Sequence, residues 1–253
     1  MRPGLTIYKH FAYYLSFLFF GAGGMLLNLG CALVFWLPAT PRSQRFFQRL
    51  LHRHFALWVW WLRQTRLFFV RYEGLERLAR GRGLVLVANH PGLMDITYLL
   101  ARVPEAVCIF KPAIRRNPVL GGAAQRAGYL ANDGGLDLIR EAAARARAGD
   151  TVIIFPEGTR TRGGPLNPLK AGFALVAQRA GVSIQTVSIA CDSNILSKAH
   201  RWWTLPRLPA HVTVTVGPEF PPPEPARTAA LVATIDAWFR QALAAPESAP
   251  GLR

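Results

Sequence analysis

"LVLVANHPGLMD", Leu84 to Asp95, joins five apolar residues to a polar segment that contains one histidine and one aspartate. The apolar run is short and continuous, with a β-branched residue at every second position, which is typical of a strand covered on both faces. Pro91 and Gly92 end this strand, and the next residues predict a helix from Leu93 to Arg102. A buried strand, a tight loop and a helix in this order are typical of an α/β sheet.

His90 falls just beyond the carboxyl end of the predicted strand, where open α/β sheets place their ligand sites. Side chains of a helix lean toward its N-terminus, so Asp95 in the first turn can point back at His90. Such a pair is a candidate general base with the carboxylate that orients it. The alternative is that Asp95 only complements the helix dipole and His90 only ends a strand.

Strands and helices alternate along the chain after Gly74. The predicted strands are Leu84–Ala88, Ala106–Phe110, Thr151–Phe155, Ile184–Ala190 and His211–Val216. The predicted helices between them are Leu93–Arg102, Pro118–Ala127, Leu136–Ala148 and Lys170–Ala180. This alternation predicts an α/β fold with a mostly parallel or mixed sheet flanked by helices. We expect three parts: residues 1–70 associated with a membrane, residues 71–217 forming the α/β domain, and residues 218–253 forming a proline-rich linker and a C-terminal helix.

The N-terminal part has the composition of a membrane-associated helical segment. Residues 11–41 carry no charged side chain and are long enough to cross a bilayer. Gly21, Gly23 and Gly24 could instead bend the segment into a re-entrant hairpin, so both arrangements stay open. The arginine-rich sequence that follows predicts that the remaining chain stays on the cytoplasmic face of the inner membrane.

An amphipathic helix is predicted after this segment. Its apolar stripe consists of Phe46, Phe47, Leu50, Leu51, Phe55, Trp58 and Leu62. Arginines lie mostly off the stripe, and a basic, aromatic-rich helix of this kind is suited to the headgroup plane of an anionic membrane. The alternative is a helix that packs on the protein's own core.

The charge of the chain predicts an anionic partner. The formal net charge is +16, with 30 lysines and arginines against 14 acidic residues. A membrane surface, an acidic carrier protein, a phosphorylated substrate or nucleic acid would each fit. The three cysteines are far apart, and no nucleophile elbow, phosphate loop or dinucleotide-binding glycine pattern is present. We therefore expect neither a metal site nor a resident cofactor.

A second polar segment repeats the pattern of the first. The predicted strand Thr151–Phe155 is followed by Pro156 and Glu157, and then by three residues suited to a ligand. Gly158 lets the backbone approach closely, Thr159 supplies a hydroxyl, and Arg160 offers a planar fork for phosphate oxygens. Lys170 adds a positive charge at the start of the next helix. An ordinary turn is the alternative, but both polar segments end strands of one sheet and are predicted to face one cleft.

"NHPGLMD" followed by "FPEGTR" in this order and spacing resembles the glycerolipid acyltransferase family, which includes 1-acylglycerol-3-phosphate acyltransferases. The resemblance covers Arg71 to Val216. It implies acyl transfer from a thioester, carried by acyl-carrier protein or coenzyme A, to a hydroxyl of a lysophospholipid. It also implies that His90 is the general base, that Asp95 fixes its tautomer, and that Glu157, Gly158, Thr159 and Arg160 shape the acceptor site.

The chain departs from the family pattern between the two motifs. Lys111 is present, but Ala113 and Ile114 replace the usual glutamate and leucine. Gly134 occupies the place of the arginine that helps to hold the acceptor's phosphate, and Arg115 or Arg116 are candidates to replace it. Thr186 stands where the family usually has proline.

These departures leave the acceptor open. Lysophosphatidic acid, which is 1-acylglycerol-3-phosphate, is the default acceptor, and a different acceptor in a specialised lipid or aryl polyene pathway is the alternative within the class. A non-catalytic basic module that binds membranes or nucleic acid is the alternative in another class. It explains the charge but gives no reason for two polar segments to share a cleft, so we expect no nucleic-acid partner. Of the two donors, the acidic carrier protein is favoured slightly.

Overall fold

The computed structural model describes residues 3–78, 83–133, 135–162, 164–195, 197–198, 200–201 and 203–244. A seven-stranded sheet runs through this part of the chain. Its strands are β1 Phe68–Glu73, β2 Leu84–Ala88, β3 Ala106–Phe110, β4 Leu130–Ala131, β5 Thr151–Ile154, β6 Ile184–Cys191 and β7 Ala210–Phe220. The spatial order is β1-β7-β6-β2-β5-β3-β4. Every neighbouring pair is parallel except β6 and β7, so the predicted mixed α/β sheet is confirmed.

The helices are α1 Pro3–Leu33, α2 Pro41–Gln64, α3 Asp95–Leu100, α4 Gly121–Arg126, α5 Gly135–Arg147, α6 Gly172–Ala180 and α7 Thr228–Ala244. They cover both faces of the sheet, and β2 at its centre shows why the sequence requires this. Leu84, Leu86 and Ala88 lie in the hydrophobic cluster with α2 and α3. Val85 and Val87 lie in the cluster with α5, α6 and α7. Since side chains alternate along a strand, a run of five apolar residues needs an apolar layer on each side.

Strands β1 and β4 were not predicted from the sequence, and β7 is longer than predicted. Strand β1 begins at Phe68, three residues before the predicted start of the α/β domain, and β4 is only two residues long. The predicted linker begins as strand, because β7 continues to Phe220. The Thr186 hydroxyl, at the usual position of a proline, donates to the Pro218 carbonyl over 2.8 Å and helps to hold this extension against β6.

The apolar stripe of α2 packs on the protein's own core, which corrects the prediction that it faces a membrane. Phe47, Leu51, Phe55, Trp58 and Leu62 are each at most 7% exposed. The surface that covers them comes from α1, α3 and α4, and from β1, a strand that was not predicted from the sequence. Phe46 alone of the stripe is largely exposed.

Helix α1 is continuous, so its glycines do not form a re-entrant hairpin. Two of them allow close packing instead. A Cβ atom at Gly23 would lie 2.8 Å from the His54 ring, and one at Gly24 would overlap the Val119 side chain. Both positions therefore allow neighbouring groups to approach the helix axis more closely than alanine would permit.

Side chains of α1 bond to the α/β domain near both ends of the helix. Lys9 Nζ donates to the Leu208 carbonyl over 2.6 Å, and Asn28 Nδ2 donates to the Pro118 carbonyl over 2.7 Å. At a rise of about 1.5 Å per residue, these contacts are separated by roughly 28 Å along the axis. Helix α1 therefore lies along the domain. Its other side is apolar and exposed at Leu5, Ile7, Phe11, Leu18, Met25, Leu26, Leu29 and Leu33.

Candidate active site

The predicted contact between the histidine ring and the aspartate is present at the carboxyl end of β2. His90 Nδ1 lies 2.8 Å from Asp95 Oδ2, and the two side chains are 16% and 4% exposed. The Gly92 N–H donates to the same oxygen over 2.8 Å. Asp95 is the first residue of α3, so its carboxylate lies beside the loop that it braces. With Nδ1 bonded to the carboxylate, Nε2 is the ring nitrogen left for a substrate.

Burial raises the pKa of the Asp95 carboxyl, while the bonds from His90 and Gly92 oppose that rise. The raised pKa means that the ionised form is lost at a higher pH, as the solution is acidified, than for an exposed aspartate. Because the Gly92 N–H donates to Asp95, it is not free to donate to an oxyanion that forms beside His90.

Asn89 and Phe155 fix the position of His90 from both sides. The Phe155 ring stacks on the imidazole with centroids 4.2 Å apart. Asn89 is 1% exposed and bonds twice to the backbone of Ile189 in β6, donating over 2.8 Å and accepting over 2.7 Å. Because β6 and β5 flank β2, the loop is clamped to both neighbours.

Glu157 joins the two polar segments. Its buried carboxylate accepts the backbone N–H of His90 over 2.8 Å and that of Asn167 over 2.8 Å. The Thr161 hydroxyl donates to both oxygens, over 3.0 and 2.9 Å. In return, the Thr161 N–H donates to the His90 carbonyl over 2.8 Å. All these bonds are made to the protein itself, so Glu157 holds the loops together, and its predicted direct contact with an acceptor stays a prediction.

The three residues that follow Glu157 lie closer to the surface than Glu157 does. Gly158 has φ +67°, a conformation that favours glycine, and a Cβ atom there would lie 2.9 Å from Lys170 Nζ. Thr159 accepts a bond from Lys198 Nζ over 3.1 Å, and Arg160 Nη1 donates to the Ser197 carbonyl over 3.2 Å. The structure thus places Gly158, Thr159, Arg160 and Lys170 at one surface.

The basic residues predicted between the two motifs differ in how close they lie to this surface. Lys111 lies close enough to this surface for its charge to lower the pKa of Lys198. Arg115 instead forms an ion pair with Asp133 at 2.8 Å, and Arg116 is exposed. Gly134 lies outside the described residues. Either arginine as a phosphate ligand stays a prediction.

The part of the chain that the structure describes holds no group of three or more His, Cys, Asp or Glu side chains placed to bind a metal ion. Burial raises the pKa of the Cys108 thiol to about 12, so this cysteine is not a nucleophile near neutral pH. The arrangement provides a fixed imidazole base beside a cationic surface. It can remove a proton from a hydroxyl that is delivered on an anionic molecule.

Comparison with known families identifies the domain that carries both loops. Residues 69–190 match the model of the family named Acyltransferase. These residues form an acyltransferase domain. The match begins in β1 and ends in β6, so it includes the whole site from His90 to Arg160.

Individual relatives agree with this assignment. A chloroplastic 1-acyl-sn-glycerol-3-phosphate acyltransferase of Arabidopsis thaliana is 28% identical over 157 residues, which are 59% of this chain and 44% of that protein. A lyso-ornithine lipid O-acyltransferase of Pseudomonas aeruginosa is 31% identical over 172 residues, 65% of this chain and 64% of that protein. The chain therefore spans about half to two thirds of the length of these relatives.

A solved structure has the same fold over nearly the whole chain. The crystal structure of the 1-acyl-sn-glycerophosphate acyltransferase of Thermotoga maritima aligns with a TM-score of 0.74 at 21% identity. The alignment covers 98% of this chain and 100% of that chain, so it includes α1 and α2 as well as the acyltransferase domain.

Several residues of the acyltransferase domain's site were not found from the sequence. Asn89 and Phe155 adjoin the predicted motifs, and their positions beside His90 at the ends of two neighbouring strands were a usable signal. Thr161 and Asn167 bond to Glu157 because of the path that the loop takes, and the sequence does not predict that path. Lys198 comes from the distant segment between β6 and β7, and the sequence gives no signal for it.

Proposed function

We propose that the protein is a membrane-associated O-acyltransferase that moves a fatty acyl group from a thioester to a hydroxyl of a lysophospholipid. The default acceptor is 1-acylglycerol-3-phosphate, which would give phosphatidic acid. The observation that carries this proposal is the imidazole of His90, bonded to Asp95 and joined through Glu157 to a cationic loop, within a domain of the acyltransferase family.

The reaction needs one base. His90 Nε2 takes the proton of the acceptor hydroxyl as its oxygen attacks the thioester carbonyl. The tetrahedral intermediate then collapses, the carbon–sulfur bond breaks, and the thiolate takes the proton from the imidazolium. Asp95 stabilises that imidazolium. Because a thioester is already activated, the step requires no covalent enzyme nucleophile.

The acceptor and the donor are the finer parts of the proposal. Cations around Thr159 support an acceptor with an anionic headgroup. The names of the relatives also include a lyso-ornithine lipid acyltransferase, so an acceptor other than lysophosphatidic acid is the second candidate. For the donor, acyl-carrier protein and acyl-coenzyme A are both anionic and both suit a chain of net charge +16. We favour the carrier protein, since a basic surface steers an acidic protein during encounter.

The experiment is a transfer assay of purified protein with each donor and a panel of lipid acceptors, with products identified by mass. We expect wild type to convert lysophosphatidic acid, and His90→Ala to lower kcat by about 10³-fold. His211→Ala is the matched control, because His211 forms an exposed pair with Asp192 at 2.7 Å. Equal activity of His90→Ala and wild type would refute the mechanism, and transfer only to other acceptors would refute the default acceptor.

Membrane association is proposed through α1. Among the described helices, only α1 is long and apolar enough to cross a bilayer. Its contacts with the domain near Lys9 and near Asn28 favour a helix that lies in the membrane surface, with its exposed apolar side in the lipid. The arginine-rich sequence after it supports the cytoplasmic face of the inner membrane, because the anionic lipids of that leaflet attract basic segments.

Vesicle binding tests this arrangement. Leu18 and Leu26 are 67% and 69% exposed on α1. We expect the double variant Leu18→Asp, Leu26→Asp to stay folded and to lose most of its sedimentation with phosphatidylglycerol vesicles. Leu136→Asp, at a side chain 71% exposed on α5, is the control and should bind as wild type does. Unchanged binding of the double variant would rule out α1 as the anchor.

A further inference from the structure

The segment between β6 and β7 reaches over the loop that follows β5. Lys198 Nζ donates to Thr159 Oγ1 over 3.1 Å, and one residue earlier the Ser197 carbonyl accepts a bond from Arg160 over 3.2 Å. Two adjacent residues of this segment therefore contact two adjacent residues of the predicted acceptor loop. The segment forms a second wall of the same surface.

Cations from four parts of the chain meet at this surface. Loss of hydration and the charges of Arg162, Lys111 and Arg160 lower the pKa of Lys198, which shows that like charges lie close together. On the other side of the loop, Lys170 Nζ packs against Gly158. Glu157, the acidic residue of this loop, is turned inward and bonded to backbone and to Thr161.

Lysine is a rare residue in this chain, yet most of its lysines lie at this surface. The sequence has four lysines, against 30 lysines and arginines in total. Three of the four, Lys111, Lys170 and Lys198, lie around Gly158 and Thr159. Gathering like charges costs free energy in the free protein, and an anion bound among them recovers it. The cluster is therefore expected to bind a multiply charged anion.

We propose that Lys198, together with Arg162, completes a binding site for the phosphate monoester headgroup of the acceptor. This inference rests on the proposed function and adds a selection among acceptors. A phosphate monoester carries between one and two negative charges near neutral pH and offers three acceptor oxygens. An ornithine lipid headgroup is zwitterionic, with one ammonium and one carboxylate, so it offers this surface less negative charge than a phosphate monoester and is disfavoured.

The same segment also connects this site to the membrane side of the protein. Tyr14 Oη of α1 donates to the Trp203 carbonyl over 2.8 Å, and Lys9 of α1 donates to the Leu208 carbonyl. The Trp203 ring is exposed and lies 5.4 Å from the guanidinium carbon of Arg201. Lys198 therefore belongs to a segment that contacts the membrane helix at one end and the headgroup loop at the other.

The test separates headgroup binding from catalysis. KM and kcat are measured for Lys198→Gln and Lys198→Arg with lysophosphatidic acid and with monoacylglycerol, which lacks the phosphate. We expect Lys198→Gln to raise KM for lysophosphatidic acid about tenfold, with a smaller change in kcat and none with monoacylglycerol. Lys198→Arg should restore most of the loss. Arg227→Gln removes one exposed cation that is paired with Glu224 far from the site, and it should behave as wild type.

A binding measurement keeps the inference independent of turnover. Equilibrium binding of lysophosphatidic acid in detergent micelles is compared between His90→Ala and the double variant His90→Ala, Lys198→Gln. Weaker binding in the double variant supports the headgroup site even if no acyl transfer is found, in which case only the proposed function fails. Equal binding of the two proteins overturns the role of Lys198, whatever the activity of wild type. A KM that rises equally for monoacylglycerol also overturns it.

Discussion

The loop after β2 and the loop after β5 leave neighbouring parallel strands at the same edge of the sheet, yet they differ in character. In the first loop the functional groups are buried and bonded to protein: Asp95 to the His90 ring and to Gly92, and Asn89 to β6. In the second loop, Gly158 is exposed, Thr159 and Arg160 are half-buried, and several cations lie close to them. The first loop fixes the position of a base, and the second presents positive charge at the surface.

The difference follows from what each loop has to do. A base must hold its nitrogen to within a few tenths of an ångström of the position from which it bonds to the reacting hydroxyl, so its partners are internal and fixed. A headgroup brings its own charge and displaces water, so the residues that bind it stay accessible from solvent until it arrives. Glu157 couples the two by bonding to the backbone of the first loop and the side chain of Thr161 in the second.

The largest effect is expected in the first loop. Asp95→Asn replaces the carboxylate with a neutral amide, which stabilises the imidazolium less and no longer fixes one tautomer. We expect kcat to fall by about 10³-fold, with KM for the acceptor nearly unchanged. Steady-state kinetics measure both, and Asp192→Asn at the exposed His211 pair is the matched control. A change confined to KM would contradict the division between the loops.

An intermediate effect is expected where the loops meet. Glu157→Gln places an amide donor against groups that already donate, so at least one buried bond is lost. We expect about 2 kcal/mol less free energy of unfolding and a loss of roughly tenfold or more in kcat, with a rise in KM as well. Chemical denaturation and kinetics on the same preparation test this. An effect on KM alone would place Glu157 in the acceptor site, as the sequence analysis predicted.

The smallest effect concerns the pH dependence of the second loop. The pKa of Lys198 is lowered, so its cation is lost at a lower pH than that of an ordinary lysine as the solution is made alkaline. We expect KM for lysophosphatidic acid to rise less than tenfold between about pH 8 and about pH 10, where an unperturbed lysine stays mostly charged. Lys198→Arg keeps its charge and should flatten the rise. Identical profiles would mean that another group titrates.

The sequence predicted most of what is local. Leu84–Ala88 and Thr151–Phe155 identified two central strands, and the polar residues after them identified the edge where the loops meet. The contact of His90 with Asp95 followed from the direction of side chains in the first turn of a helix. Glu157 was placed at the site, but its inward direction was not, because that depends on Asn167 and Thr161 further along the loop.

The parts that the sequence did not predict depend on contacts between distant segments. The stripe of α2 is as apolar as a membrane surface requires, and only the packing of α1, α3, α4 and β1 against it shows that it is core. The glycines of α1 are as consistent with a bend as with close packing, until His54 and Val119 are found beside them. Lys198 is separated from Thr159 by 39 residues and by two other elements.

The bonds that tie α1 to the domain at Lys9, Tyr14 and Asn28 have a kinetic consequence. In the proposed arrangement, an anchor that lies flat and is joined along its length would hold the reacting edge at a constant height above the lipid, with little freedom to swing into the water. We therefore expect the enzyme to sample acceptors by lateral diffusion. Its rate should then follow the mole fraction of acceptor in the bilayer, and dilution with inert phospholipid at fixed total acceptor should slow it.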